Sequence, residues 1–250
     1  MTLPKVLITA PTASAKNYCF AEWIENVMNF TYPFFEVRLY DNTNDGGANA
    51  KYLNEYVRKN HCAVGFDQKF YCENSFIKNN VKPSSSVIEN MCLSHNDCRY
   101  YALKNGYEYT LHLETDVFPP ADIIESLMVH NKLVTGAVYY RDEGIYRKAM
   151  IQRRLTLSSN NFKTMNFEPN EEIFFMDGSL KEAAHIGLGC VLIEKTVFEK
   201  IPFRFVKNQN MHPDSFFAED CFRSKIKIYV DTSIICRHEN QSWTWATAKI

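Results

Sequence analysis

The feature that most limits the fold is an alternation that runs up to residue 113. Val6-Leu7-Ile8-Thr9, Phe35 to Tyr40, His61 to Phe66 and Tyr109 to Leu113 are short apolar runs that read as buried strands. Between them, Asn17 to Asn29 carries Phe20, Ile24, Val27 and Met28 at helical spacing, and Ala48 to Arg58 suits a second helix. Ser86-Val87-Ile88-Glu89 is a capping box that opens a long helix to about Lys104, and Asn105-Gly106 ends it. Strand, helix, strand, helix is the order of a parallel sheet with right-handed crossovers, so an α/β fold is expected. At 250 residues the chain suits a single domain with a sizeable core.

In open α/β sheets, ligands bind outside the carboxyl ends of the strands. Three such ends carry polar groups here: Thr9 to Thr12, Asp41, and Glu114 with Asp116. Side chains at i and i+2 of an extended segment point the same way, so Glu114 and Asp116 are expected to face one hard cation. An acid-x-acid pair at a strand end matches what Mg²⁺ or Mn²⁺ on a diphosphate needs, with phosphate and water filling the other positions. Pro119 and Pro120 then stop the strand.

Past Pro120, a helix to His130 and a strand from Lys132 to Tyr140 follow. Residues 141–184 are harder to read. Asn166 to Glu168 and Glu172 to Met176 are candidate hairpin strands, and acceptor recognition is expected in this region. His185 to Ile193 reads as an apolar strand interrupted by Gly187 and Gly189, which brings its backbone close to something. A short helix from Lys195 leads to a loop. Phe216 to Asp220 comes next, then strands at Ile226 to Val230 and Ser233 to Arg237, then His238. His112 reads as a satisfied core residue, His185 as either an acceptor contact or packing, and Trp243 and Trp245 as a docked tail or a lid.

Composition removes several classes. The net charge of −1 gives no global field toward nucleic acid or acidic membrane. There is no apolar run of about eighteen residues, and Met-Thr-Leu-Pro-Lys does not open a signal peptide. The eight cysteines form no C-x-x-C pair, which predicts a reducing, cytoplasmic setting without a zinc site or disulfide framework.

Taken in order, several segments resemble the GT-A glycosyltransferases, more narrowly their family-2-like members. They are Pro4 to Ile8 with Pro11-Thr12; Phe35 to Asn42; the helix bearing Asn96 and Arg99; and Gly106 to Asp116. The rest are Pro119-Pro120 with Lys132 to Tyr140; Gly187-Leu188-Gly189; Ala218-Glu219-Asp220; and Ile228 to His238. Together they span roughly residues 4–140 and 185–240. The resemblance implies a Rossmann-related, mostly parallel central sheet flanked by helices, with a small antiparallel β portion in the C-terminal half. The nucleotide-binding half would run to about residue 116 and the acceptor half from 117 to 250.

The resemblance also implies a nucleotide-sugar donor, a glycan or other hydroxyl-bearing acceptor, and Mn²⁺ or Mg²⁺. Carried over by position, Asp41 would contact the base, and Pro11 and Thr12 would border base and ribose. Glu114-Thr115-Asp116 would bind metal and donor, with His238 as a later ligand. Arg99 would reach the diphosphate. Asp220, with Glu219 as substitute, would be the base of an inverting transfer. Two departures bear on this. The triplet opens on Glu where the family has Asp, and only Cys221 to Lys225 separates Asp220 from the next strand. A non-catalytic nucleotide-sugar or glycan-binding domain is the alternative. A sugar-1-phosphate nucleotidylyltransferase would want glycine in the loop Ala10 to Lys16, which has none. A DNA-modifying transferase would want a basic groove.

Overall fold

A computed structural model describes residues 3–142, 147–155, 162–209 and 211–239. Trp243 and Trp245 lie outside these residues. The strands are β1 (Val6–Thr12), β2 (Phe35–Asp41), β3 (Phe70–Asn74), β4 (Tyr109–Leu113), β5 (Val117–Phe118), β6 (Val134–Asp142), β7 (Arg147–Ala149), β8 (Ile151–Arg154), β9 (Thr164–Asn166), β10 (Leu180–Ala183), β11 (His185–Ile186), β12 (Cys190–Glu194) and β13 (Ile228–His238). The helices are α1 (Phe20–Met28), α2 (Ala48–His61), α3 (Ser75–Asn79), α4 (Val87–Lys104), α5 (Ile123–Met128), α6 (Pro169–Phe175), α7 (Lys195–Lys200) and α8 (Pro213–Arg223).

The main sheet has the order β10-β13-β6-β12-β4-β1-β2-β3. Strands β4, β1, β2 and β3 run parallel, β12 is antiparallel between β4 and β6, and β13 is parallel to β6. A separate small antiparallel sheet joins β11, β8 and β9. The expected architecture, a mostly parallel sheet flanked by helices with a small antiparallel portion in the second half, is therefore found.

β1 shows why the sheet is buried on both faces. Val6, Ile8 and Ala10 point into one cluster with Phe20, Trp23 and Ile24 of α1, and Leu7 points into the other with Phe198 of α7 and Phe217 of α8. Parallel sheets covered on both faces read as near-continuous apolar runs, as here. Asp45 caps α2 by accepting from Gly47 N (2.9 Å) and Asn49 N (2.8 Å). Gly47 sits at φ +84°, and a Cβ there would lie 2.7 Å from Ile77, so the turn needs glycine.

Several sequence expectations need correction. The third strand is Phe70–Asn74, not His61 to Phe66. Gly65, left-handed at φ 73°, links two short 3-10 turns there, and buried Phe70, Cys72 and Asn74 alternate with exposed Tyr71. Glu172 to Met176 falls mainly in α6, which Pro169 opens with a Glu168–Glu171 capping box. His185 to Ile193 is two strands in two sheets. Phe216 to Asp220 is the middle of α8, which starts at Pro213. The last two strands are one, with a register shift between Asp231 and Ile235. Among the described residues, no helix is long and apolar enough to cross a membrane.

Trp23 is fully buried between α1 and the sheet. Trp23→Ala should lower unfolding free energy by about 3–5 kcal/mol, read from the shift of the denaturant midpoint at unchanged slope.

Candidate active site

The carboxyl ends of β1, β2, β3 and β4 are stitched side by side. Asn42 N donates to Thr12 O (2.9 Å), and Ser14 N donates to Thr43 Oγ1 (2.9 Å). Asp41 is fully buried, and its carboxylate accepts from Thr43 N (3.1 Å), Thr43 Oγ1 (2.6 Å), Asn49 Nδ2 (2.9 Å) and Asn74 Nδ2 (2.8 Å). Thr12 and Thr115 hydroxyls meet at 3.2 Å inside the protein, tying β1 to the acid triplet. Pro11 pairs with Tyr40 in the sheet.

Glu114 and Asp116 do not lie on extended chain as expected. Val117 N donates to Glu114 O (3.0 Å), closing a turn. The turn still aims both acids at one point, and Lys16 Nζ occupies it, 2.8 Å from Glu114 Oε2 and 2.9 Å from Asp116 Oδ1. Lys16 leaves the protein surface from a short 3-10 segment, Ser14–Cys19, and its side chain is 13% exposed. Cys19 Sγ donates to Thr115 O (3.2 Å) and fixes the far end of that segment.

His238 arrives from the other half of the chain. β5 pairs with β13 so that His238 is opposite Val117. Its Nε2 is 3.7 Å from Asp116 Oδ2. Its Nδ1 is 2.8 Å from Tyr140 O, which fixes Nδ1 as the protonated nitrogen and aims the Nε2 lone pair at Asp116 when the ring is neutral. Burial alone would raise the Asp116 carboxyl, but the Lys16 charge and the nearby His238 outweigh it and hold it at about 2. Burial would lower Lys16, yet the charges of Asp116 and Glu114 keep it above the usual lysine range. Burial would likewise lower His238, and the nearby Asp116 carboxylate raises it instead.

Among the described residues, no three acid, histidine or cysteine side chains already surround one metal position. The donor set nonetheless suits a hard dication: two carboxylates and an imidazole whose other nitrogen is tied to a carbonyl. What stands in that place is the Lys16 ammonium.

Beside the acid pair, Gly189 passes close to Tyr139, whose hydroxyl accepts from Gly189 N (3.1 Å); a Cβ at Gly189 would lie 2.5 Å from the ring. This is the close approach the two glycines predicted. Gly189 O in turn accepts from Glu114 N (3.0 Å). His112 is buried with both ring nitrogens bonded, to Leu188 O and to His95 Nδ1. Burial raises the Tyr139 phenol, and the charges of Glu114, Asp214 and Asp116 raise it further.

Asp214 is a buried carboxylate that the sequence reading did not single out. It lies in the first turn of α8, its side chain four-fifths buried, with Oδ2 3.5 Å from His185 Nε2. Burial would raise Asp214, but the His185 and His212 rings and the Ser215 N–H outweigh it and hold the carboxyl well below its usual range. The signal was Pro213, which marks a helix start with an acid in its first turn. Asp220 and Glu219 lie further along the same helix. Asp220 is six positions later, about 9 Å along the helix. Arg204 binds both, at 2.7 Å to Asp220 Oδ2 and 2.7 Å to Glu219 Oε2. Arg99 is not brought to the acid pair either. Its Nε donates to Phe198 O (2.6 Å) in α7, which follows β12 at the amino end of β4.

With this geometry in hand, comparison by structure gives the fold a class. No protein-family model and no curated protein matches the chain by sequence. Solved structures do match in fold. GalNAc-T7 with UDP, GalNAc and Mn²⁺ superposes with a TM-score of 0.61 at 12% identity, over 97% of this chain and 45% of that one. S. aureus TarS 1–349 gives 0.52 at 12% identity, over 92% of this chain and 60% of that one. Its complex with UDP-GlcNAc gives 0.50 at 11%, over 96% and 62%. The neighbours are GT-A glycosyltransferases, and this chain has the GT-A fold, spanning about half to three-fifths of the length of the neighbours.

The pKa shifts set the pH response of the metal-free protein. Asp116 is depressed, so its contribution to stability is present above the unfolded value of 3.8 and lost as pH falls toward about 2. His238 is raised, so its contribution is full below the unfolded value of 6.5 and lost as pH rises through its folded value. Thermal melts in EDTA should show a shallower loss below pH 4 for Asp116→Asn and a shallower loss above pH 6.5 for His238→Gln. Parallel curves for variant and wild type would contradict the assignment.

Proposed function

We propose that this protein is a glycosyltransferase that moves a sugar from a nucleotide-sugar donor to an acceptor hydroxyl. The observation that carries the reading is the acid pair Glu114 and Asp116 on a GT-A sheet, set at the carboxyl end of β4, tied to β1 through Thr12 and Thr115 and closed by His238. Asp116, Glu114 and His238 would hold Mn²⁺ or Mg²⁺, which supplies positive charge for the diphosphate leaving group. Uridine diphosphate sugars are the first donor class to test, because neighbours of this fold carry UDP or UDP-GlcNAc.

In this reading Asp41 acts through the loop it fixes, since its own oxygens are already taken by Thr43, Asn49 and Asn74. Pro11, Thr12 and that loop border base and ribose. The base role moves from Asp220 and Glu219 to Asp214. An acceptor hydroxyl becomes a competent nucleophile when a carboxylate takes its proton in the transition state. Asp214 is held ionised in the first turn of α8, its side chain four-fifths buried and 3.5 Å from His185. The proton passes to Asp214 as the new C–O bond forms on the face opposite the leaving diphosphate, which gives inversion. Asp220 and Glu219, held by Arg204, fix the segment before α8 against the helix.

The test begins with melting temperature against nucleoside diphosphates and nucleotide sugars, in Mn²⁺, Mg²⁺ or EDTA. A ligand that binds only the folded state raises it by mass action. A shift that needs both metal and one nucleoside diphosphate supports the reading; no shift with any nucleotide leaves a binding module for some other ligand. Asp116→Ala should abolish the metal-dependent shift with the fold intact. Asp214→Asn should lower kcat by about 10²–10⁴-fold with donor affinity unchanged, and Asp220→Asn should stay within a few-fold of wild type. The reverse order of the two variants would return the base role to Asp220.

A further inference from the structure

Lys16 has no part in the reading so far, yet it touches the two oxygens that matter most. Its Nζ takes Glu114 Oε2 and Asp116 Oδ1, the same atoms a cation on the acid pair would take. Asp116 keeps only Oδ2 for His238. An ammonium and a dication within bonding reach of the same oxygens would stand a few ångströms apart and repel strongly, so the two cannot share the place. The charge count favours exchange over permanent occupation. Two carboxylates and one ammonium sum to −1, and a diphosphate brought to that site is repelled. A dication between the carboxylates neutralises them and releases one positive charge that is already at the rim.

The local structure permits that release. Ser14 and Ala15 are exposed, Lys16 and Asn17 are partly so, and the short 3-10 segment is held by Ser14 N on Thr43, Asn17 Nδ2 on Asn49, Tyr18 OH on Glu239 O and Cys19 Sγ on Thr115, none of which uses the Lys16 side chain. A lysine side chain is a point charge on a four-carbon stem with three rotatable donors, so it can turn without moving the backbone.

We propose that Lys16 is an exchangeable counter-ion: it neutralises Glu114 and Asp116 in the metal-free protein, is displaced from them by a divalent cation, and then turns its ammonium to the donor diphosphate. Exchange at the acids stands on the contacts above; the turn to the diphosphate rests on the transferase reading. The consequence is competition. Metal alone binds weakly because it must first displace Lys16, and a diphosphate that gives the ammonium a new partner tightens it.

The experiment titrates full-length protein with Mn²⁺ alone and counts free Mn²⁺ by electron paramagnetic resonance. Lys16→Met should bind Mn²⁺ at least about tenfold more tightly than wild type, since the competing state is gone. Lys16→Arg, which keeps the charge, should bind no more tightly than wild type, and Asp116→Asn should lose binding. In parallel, an amine-reactive label on Lys16 of the wild type, read by mass spectrometry, should react several-fold faster in Mn²⁺ than in EDTA. The labelling arm holds even where Lys16→Met fails to fold. Equal or weaker Mn²⁺ binding by folded Lys16→Met, no Mn²⁺ binding by either protein, or Lys16 labelling indifferent to Mn²⁺ would each overturn the proposal. The two readings fail separately. Exchange with Mn²⁺ but no response to any nucleotide sugar sinks the transferase; sugar transfer with Mn²⁺ binding indifferent to Lys16 sinks the exchange.

Discussion

Two carboxylates at the end of a buried strand cannot stand alone in a protein interior, and much of this molecule answers that constraint. Asp116 is buried, and burial alone would push its carboxyl toward the protonated form unless opposite charge stands beside it. The answer comes from parts of the chain far apart in sequence. Lys16 comes from the loop after β1, and His238 from the last strand. Removing one member of such a buried pair typically costs about 3–5 kcal/mol, because the charge left behind has no partner.

The sheet makes this possible by geometry. Parallel β4, β1, β2 and β3 end at one edge, and their ends are bonded to each other through Thr12, Thr115, Thr43, Asp41 and Asn74. Antiparallel β12 and the glycine-permitted contact with Tyr139 close the floor beside Glu114. β13 crosses from the second half of the chain and delivers His238 through its short pairing with β5. A rigid first half thus holds the acids, and the second half completes the ring around them.

Much of the architecture was legible because it rests on local patterning. The apolar runs of β1, β2 and β4 and the capped α4 declare themselves in a window of ten to twenty residues. The acids and His238 were legible as strand-end chemistry. Where legibility failed, the deciding contact was distant or the local signal was outvoted. Lys16 finds partners 98 and 100 positions away, and nothing near it in sequence distinguishes it from a surface lysine. Asp214 was not singled out although Pro213 marks a helix start with an acid in its first turn, because the partner beside it, His185, is distant in sequence. Arg99 lies on α4 far enough along to reach the opposite edge of the sheet, a matter of helix length and direction that its residue type does not reveal.

The central claim is that the edge of the sheet around Asp116 is a site where a sugar diphosphate is split for transfer. The most direct measurement is release of nucleoside diphosphate from a panel of nucleotide sugars, wild type beside Asp116→Ala, in Mn²⁺ and in EDTA. Slow release even without an acceptor is expected, because water can stand in for the acceptor hydroxyl. The account predicts release from one donor with wild type in Mn²⁺, and none with the variant or in EDTA. Release that is the same in Asp116→Ala, or none from any donor with any acceptor present, would contradict it.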